Sequence, residues 1–258
     1  MSRGRPSPST APPSSAGTSP RSAAGTAARG DGRRAVPRPS AYGEAGVDLE
    51  AADRAVDLIR PLAASTRRPE VLGGLGGFGG LFELATDSYR RPVLVAATDG
   101  VGTKPAVARA VGRYDTIGLD CVAMCVDDLV CQGAEPLFFL DFISVGSLDP
   151  DQVADLVAGV AEGCREAGAA LLGGETAEHP GLMGPGEFDL VGFSVGVVER
   201  EEVLGPTRVR IGDVLVGLPS PGLRCNGYSL ARRVLLDRSG QPLDGPAWPG
   251  AQTTLGEE

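Results

Sequence analysis

The chain has 258 residues, of which 38 are glycine and five are cysteine, and its formal net charge is −9. Residues 1–40 sum to +6 and residues 41–258 to −15, so the body of the protein is acidic. This charge argues against nonspecific nucleic-acid binding, the odd cysteine count argues against a disulfide framework, and the lack of an apolar run near 20 residues argues against a membrane span.

The first segment, residues 1–39, is rich in Pro, Ser, Ala, Gly and Arg and has no apolar periodicity. Such a composition buries too little surface to offset chain entropy, so we expect a disordered tail. The segment shows no signal-peptide core, and the expected location of the protein is therefore the cytoplasm.

Downstream of the tail, helical and strand patterns alternate, which predicts an α/β or α+β architecture. Helices are expected over Asp48–Leu62, Thr116–Cys131, Pro150 to about Ala167 with Asp149 as N-cap, and Leu230–Leu236. Strands are expected over Val93–Ala97, Leu137–Ile143, Ala169–Leu172, Leu190–Val198 and Val214–Leu218. Gly205-Pro206 marks a boundary between a domain at 40–206 and a segment at 207–258. The segment is too short for its own core, so we expect the chain to be truncated.

The single lysine of the chain, Lys104, ends the glycine-containing turn Thr98–Lys104. A compact charge on a flexible stem suits a phosphate, and Asp99 in the same turn could hold the metal ion of a nucleotide. The glycine-rich loop at residues 73–80 could surround a phosphate with backbone N–H groups. Neither segment has the spacing of a P-loop or a dinucleotide-binding fingerprint.

Four acids form the candidate metal set: Asp99, Asp127, Asp128 and Glu175. Asp127 and Asp128 share a predicted helix, whereas Asp99 and Glu175 each end a predicted strand, where side chains can converge. Hard oxygen ligands suit Mg²⁺, with nucleotide phosphates completing its shell. Each acid alone is an ordinary surface residue, but the set beside glycine turns and a lone lysine favours phosphate–metal chemistry.

Several motifs in one order carry a resemblance to a known family. They are Arg67–Val71, the 73–80 loop, Thr98–Lys104, Asp115–Gly118, Gln132–Asp141 and Gly173–Glu178. From about Tyr42 to Leu236 the chain resembles the phosphoribosylformylglycinamidine cyclo-ligases.

The resemblance implies ATP-dependent closure of the imidazole ring in purine synthesis, with phosphorylation of the formyl oxygen. It implies that Asp99 and Asp128 hold Mg²⁺, with Asp127 beside them where the family commonly has Asn, and that Lys104 and Thr103 contact phosphates. The loop containing Gly76, Gly77, Phe78 and Gly79 would close over ATP. Glu175 and Thr176 would line the same cleft, and Asn226 would approach it from the second domain. The expected catalytic residues are Lys104, Asp99 and Glu175.

The fold implied by the resemblance is α+β. An N-terminal mixed sheet carries helices on one face and joins the sheet of a second copy in a homodimeric β-barrel, and an incomplete C-terminal α/β sandwich domain follows. Arg224-Cys225 depart from the His-Ser that is usual in the family. Two alternatives stay open: another ATP-using member of the superfamily, such as a thiamine-phosphate kinase, selenophosphate synthetase or hydrogenase-maturation dehydratase, or an inactive nucleotide-binding module that dimerises.

Overall fold

A computed structural model describes residues 45–220 and 222–258, and the predicted disordered tail at 1–39 lies outside this range. The helices are α1 (Leu49–Ser65), α2 (Pro105–Val111), α3 (Ile117–Cys131), α4 (Pro150–Ala167) and α5 (Tyr228–Arg232), which continues as a π-helical turn, Arg233–Arg238. The strands are β1 (Val71–Leu72), β2 (Leu81–Phe82), β3 (Pro92–Gly100), β4 (Glu135–Val145), β5 (Ala170–Glu178) and β6 (Phe188–Glu199).

Capping residues set the starts of the two long outer helices. The Asp48 carboxylate accepts a hydrogen bond from Ala51 N at 3.0 Å, and the Asp149 carboxylate accepts one from Asp151 N at 3.0 Å. Each cap satisfies a backbone donor that the first turn of a helix leaves without a partner. The predicted start of α4, with Asp149 as cap and Pro150 in the first turn, is confirmed.

The main sheet is mixed and four-stranded, in the order β3-β6-β4-β5. β6 pairs antiparallel with β3 and with β4, whereas β4 and β5 are parallel and are joined through α4. Helices α1, α3 and α4 cover one face, and the core between them and the sheet contains fully buried Phe139, Ile143 and Leu156. The predicted mixed sheet with helices on one face is confirmed.

The other face of the sheet, which we call the outer face, has no helix over it in the described residues. Leu94, Phe142 and Phe193 lie on this face, and each is at least 40% exposed. Phe142 and Phe193 are diagonal neighbours, whereas Leu94 pairs with Val197, four residues along β6 from Phe193. Exposed large apolar side chains on one face of a sheet are typical of an interaction surface.

Two expectations about strands need correction. β5 continues to Glu178, so Glu175 lies inside the strand and not at its end. The strand predicted over Val214–Leu218 is wrong, because this segment forms no regular structure and Leu215 is 96% exposed. An apolar run becomes a strand only when another strand satisfies its backbone groups, and no described residue pairs with this one.

Among the described residues, none of the helices combines the length and apolar character needed to cross a bilayer. The predicted boundary between residues 206 and 207 stays a prediction.

Candidate functional site

A cavity of about 390 Å³ lies between α1 and the inner face of the sheet, under the glycine-rich loop. We call it the loop cavity. Four predicted site residues line it together: Gly76, Gly77, Glu175 and Thr176. Its remaining wall is mainly apolar, from α1, α4 and β5, with one further acidic residue, Asp141 of β4. The structure therefore brings the predicted loop and the predicted Glu175-Thr176 segment to one place.

Strand register places Asp99 and Asp141 in one row across the sheet. Gly192 of β6 pairs with Asp99 on one side and with Asp141 on the other. The two acids therefore share the inner face, two strand spacings or about 10 Å apart. A methyl group at Gly192 would collide with Phe139 and approach the Cys125 sulfur to 2.9 Å, so these two side chains fill the space between the acids.

Asp141 is the functional candidate that sequence reasoning missed. It is half-buried in the cavity wall, and burial raises the pKa of its carboxyl to about 7. It occurs in an otherwise apolar run that was correctly predicted as a buried strand. A carboxyl inside such a run was the available signal, because acids are rarely buried without a reason.

Glu175 has a different orientation. It pairs in register with Phe142, whose side chain belongs to the outer face, and its own Oε1 accepts a hydrogen bond from Thr176 N at 3.0 Å. Side chains alternate along a strand, so Glu175 and Asp141 point to opposite faces. The register does not bring Asp99 and Glu175 together within one chain, contrary to the expectation that both acids end strands and converge.

Helix α3 divides the predicted metal ligands. The hydrogen bond with Cys121 lowers the pKa of Cys125. The carboxylates of Asp99 and Asp128 oppose this effect and raise the pKa of the same thiol. Asp127 instead raises the pKa of Cys225. Burial is the largest cause of that rise, and the nearby carboxylate of Asp120 is the second. Asp99 and Asp128 are thus both close to Cys125, whereas Asp127, about 100° away from Asp128 around the helix axis, is close to Cys225.

Within residues 45–220 and 222–258, no group of three or more His, Cys, Asp or Glu side chains is arranged to hold a metal ion. The oxygen donors of Asp99 and Asp128 nevertheless fit Mg²⁺, which usually takes one or two protein carboxylates and fills its shell with phosphate and water. The carboxylate of Asp99 already accepts a hydrogen bond from Gly100 N at 2.7 Å. The role of Asp127 as a third ligand stays a prediction.

The Lys104 side chain is buried at the end of its turn and is paired with a carboxylate. It is 4% exposed, and its Nζ lies 3.0 Å from Asp120 Oδ2 and 5.4 Å from the centre of the Tyr228 ring. We call these three residues the Lys104 cluster. The predicted contact of Lys104 with phosphate stays a prediction, and a phosphate that binds here would have to replace the carboxylate of Asp120.

The segment from residue 222 onward covers this cluster. The Thr103 hydroxyl lies 3.3 Å from that of Ser229, and a second cavity of about 270 Å³ is lined by Lys104, Asp120, Cys225 and Tyr228 among others. Asn226 is exposed beside it. Of the predicted loop residues, Phe78 and Gly79 are exposed and do not line the loop cavity.

Residues 86–198 match the family described as AIR synthase related protein, N-terminal domain. The phosphoribosylformylglycinamidine cyclo-ligase of Trichlorobacter lovleyi is 54% identical over 224 residues, covering 86% of this chain and 64% of the relative. That of Anaeromyxobacter dehalogenans strain 2CP-C is 60% identical over 203 residues, covering 79% and 58%. These matches confirm the family resemblance, and the chain spans about three fifths of the length of these relatives.

Among solved structures, the chain is similar to a thiamine-monophosphate kinase from Stenotrophomonas maltophilia K279a. The sequence identity is 25%, the TM-score is 0.46, and the match covers 58% of this chain and 43% of the kinase.

Proposed function

Because the chain has the AIR synthase related N-terminal domain and is 54–60% identical to phosphoribosylformylglycinamidine cyclo-ligases, we propose that it serves ATP-dependent ring closure in purine biosynthesis. The substrate would be formylglycinamidine ribonucleotide and the product aminoimidazole ribonucleotide. The identity to these relatives is the observation that carries the proposal.

The chemistry converts a poor leaving group into a good one. The formyl oxygen attacks the γ-phosphorus of ATP and releases ADP, and a nitrogen of the amidine then attacks the formyl carbon. The C–O bond breaks, inorganic phosphate leaves with the former formyl oxygen, and the nitrogen loses a proton. The protein contributes mainly by positioning the reactants and by excluding water.

In this proposal Asp99 and Asp128 hold Mg²⁺, which neutralises the triphosphate when bound. The loop of residues 73–80 closes over ATP, and the fully exposed ring of Phe78 becomes covered as it does so. Gly76 and Gly77 already line the loop cavity, which supports a loop that covers a ligand there. Lys104 exchanges Asp120 for a phosphate oxygen, since both partners are anions.

Turnover can be tested by following ADP release with ATP, Mg²⁺ and formylglycinamidine ribonucleotide. We expect ADP release to require the ribonucleotide, while thiamine phosphate in its place gives none. ADP release that depends on thiamine phosphate would support the alternative kinase function. ATP binding by calorimetry without any substrate-dependent ADP would support a nucleotide-binding module and contradict the cyclo-ligase proposal for this chain.

A homodimer is the proposed assembly, and the outer face of the sheet supports it. Burying Leu94, Phe142 and Phe193 against a second copy would remove a large apolar surface from water. Sedimentation of Leu94→Asp with Phe193→Asp should show monomers where the wild type is dimeric. Leu182→Asp, at an exposed apolar residue outside the sheet, is the matched control and should leave the dimer intact. A dimer that survives the double substitution would place the interface elsewhere.

A further inference from the structure

Asp141 provides a carboxyl group inside a cavity whose other inner walls are mainly apolar. The side chain belongs to β4 and lies on the inner face, together with Leu171 and Thr176 of β5. Helix α1 closes the opposite side with small and aliphatic residues such as Ala55 and Ile59. A carboxyl in this position is positioned to orient a small polar group that enters between the helix and the sheet.

No partner inside the protein satisfies this carboxyl. In the described part of the chain, no side chain or backbone group of another residue forms a hydrogen bond or ion pair with it, and the contribution of its own backbone is the single one. The chain also keeps room for the group, because a methyl group at Gly174 would collide with Asp141 Oδ1. The carboxyl is thus held by shape and not by a fixed cation.

The positive charges nearest to this region, Arg165 and Lys104, slightly lower the pKa values of Cys164 and Cys121 respectively, but neither contributes to the pKa of Asp141. The pKa of Cys164 on α4 is raised by burial and further by Asp141. That of Cys121 on α3 is raised chiefly by its hydrogen bond with Cys125, and Asp141 adds to the rise. Both thiols are therefore neutral, and Glu175 on β5 points to the outer face. Burial raises the pKa of Asp141 itself to about 7, which shows that an internal counter-charge is lacking.

A missing cation in the protein indicates a cation in the ligand. The amidine of formylglycinamidine ribonucleotide is planar, carries several N–H donors and is a strong base. An amidinium can donate two parallel hydrogen bonds to one carboxylate, as a guanidinium does. We propose that Asp141 binds the amidine of the substrate and thereby selects it over the corresponding amide. This inference rests on the proposed function.

The amide, formylglycinamide ribonucleotide, is the suitable comparison ligand because it has an oxygen where the amidine has a nitrogen. Its carbonyl oxygen would face a carboxylate with no donor between them. A site built to pair with N–H groups rejects an analogue that leaves a buried polar group unpaired. Asp141 is therefore expected to act as a specificity-determining residue, through binding and independently of turnover.

Isothermal titration calorimetry of the two ribonucleotides against wild type, Asp141→Asn and Asp155→Asn tests the inference. Asp155 is an exposed acid on α4 and serves as the matched control for the loss of one negative charge. Wild type and Asp155→Asn should bind the amidine at least about tenfold more tightly than the amide, a difference of about 1.4 kcal/mol. Asp141→Asn should lose this preference and keep its affinity for the amide.

Proton linkage gives a second measurement on the same samples. A bound cation favours the carboxylate form, so amidine binding to wild type near pH 6.5 should release protons from Asp141. The heat of binding should therefore differ between two buffers that have different ionisation enthalpies. Asp141→Asn should show less release. If this variant does not fold, Asp141→Glu, which retains the charge but displaces it by one methylene, should show a reduced preference.

The outcomes separate the two proposals. A preference for the amidine that persists in Asp141→Asn would overturn the role of Asp141 and leave the cyclo-ligase proposal standing. Equal binding of both ribonucleotides by wild type would also overturn that role. A wild-type chain that binds neither ribonucleotide would contradict the proposed function and the role of Asp141 together.

Discussion

Lys104 and Asp141 are two charged side chains removed from bulk water in different ways. Lys104 is paired with Asp120 at 3.0 Å and lies near the ring of Tyr228. Asp141 lines a cavity and has no partner from another residue in the described part of the chain. The charge of Lys104 is compensated within the fold, whereas the carboxyl of Asp141 has no partner from another described residue.

The comparison adds Asp141 to the groups expected from the sequence. Lys104 was predicted to contact phosphate, and in the fold its charge is already compensated by Asp120. Burying a charge costs free energy that a partner must offset, so an unpaired buried carboxyl destabilises the fold unless a ligand uses it. Perturbed groups of this kind concentrate at functional sites. Removing the two charges should therefore change stability in opposite directions.

The largest effect is expected from Lys104→Ala. It leaves Asp120 without its partner and removes the packing of a stem that is almost fully buried. We expect the free energy of unfolding to fall by about 3 kcal/mol, at the lower end for a broken buried pair because the Asp120 side chain is 38% exposed. Urea denaturation monitored by circular dichroism measures this change.

The control for Lys104→Ala is the double variant Lys104→Met with Asp120→Asn, which removes both charges and retains most of the volume. It should recover more than half of the lost stability. Unchanged stability in Lys104→Ala would mean that the internal pair is energetically unimportant, whereas a loss of nucleotide binding would support the proposed contact of Lys104 with phosphate.

The next largest effect, of opposite sign, is expected from Asp141→Asn. The pKa of the carboxyl is raised from 3.8 to about 7, so the folded state binds more protons than the unfolded state between these values. Wild-type stability should therefore fall as pH rises through this window and level off above pH 7. The variant should be more stable than wild type by about 2 kcal/mol at pH 8, below the full linkage value of about 4 kcal/mol because the residue borders a cavity.

Thermal unfolding of both proteins between pH 4.5 and 8 measures this linkage. The stability gain of Asp141→Asn should shrink towards zero as the pH is lowered, since the carboxyl is then protonated in wild type. A gain that is the same at every pH would indicate a packing effect and not the removal of a buried charge. Asp155→Asn should show neither the gain nor its pH dependence.

The sequence predicted those parts of the fold that depend on local signals. Asp149-Pro150 marked the start of α4, and apolar runs marked four strands of the sheet. The buried face of α1 does not follow from apolar periodicity, because Leu49 and Val56 are exposed while Ala51, Ala55 and Ala63 are buried. Small residues allow α1 to approach α4 closely, and this preference depends on the neighbouring helix, which periodicity alone does not contain.

The candidate site was predicted only in part, for a related reason. The glycine loop was identified because glycine runs have a local signature, and Thr176 was identified through the family resemblance. Asp120 and Lys104 are 16 residues apart, and their pairing follows from how the turn before α2 meets α3. The exposure of Asp141 to a cavity likewise depends on the parallel pairing of β4 with β5. Contacts of this kind arise from tertiary packing.

A smaller effect on stability, but a clear one on binding, is expected from Gly174→Ala. The added methyl group would occupy the position of Asp141 Oδ1, so the carboxyl must rotate away while its charge is retained. The methyl group would also lie 2.9 Å from the backbone oxygen of Asp141, so β4 and β5 must shift slightly as well, and the free energy of unfolding should fall by about 1 kcal/mol.

Calorimetry of Gly174→Ala should show a reduced preference for the amidine over the amide ribonucleotide, similar to that of Asp141→Asn. Gly181→Ala, in an exposed turn, is the control and should bind as wild type does, although its positive φ of 81° makes the turn less stable. An unchanged preference in Gly174→Ala would mean that the precise position of the Asp141 carboxyl is unimportant.

The smallest effect is expected at the aromatic edge of the Lys104 cluster. Tyr228→Leu removes a ring whose centre lies 5.4 Å from Lys104 Nζ, and a cation–π contact at a partly buried site contributes about 0.5–1 kcal/mol. Tyr228→Phe retains the ring and loses only the hydroxyl, which donates to Glu258 O at 3.3 Å. Urea denaturation should place Tyr228→Phe between Tyr228→Leu and wild type.

In the Lys104→Met, Asp120→Asn background the difference between Tyr228→Leu and Tyr228→Phe should disappear, because the cation is absent. A difference that persists there would assign the contribution of Tyr228 to apolar packing and leave the Asp120 carboxylate as the principal partner of Lys104.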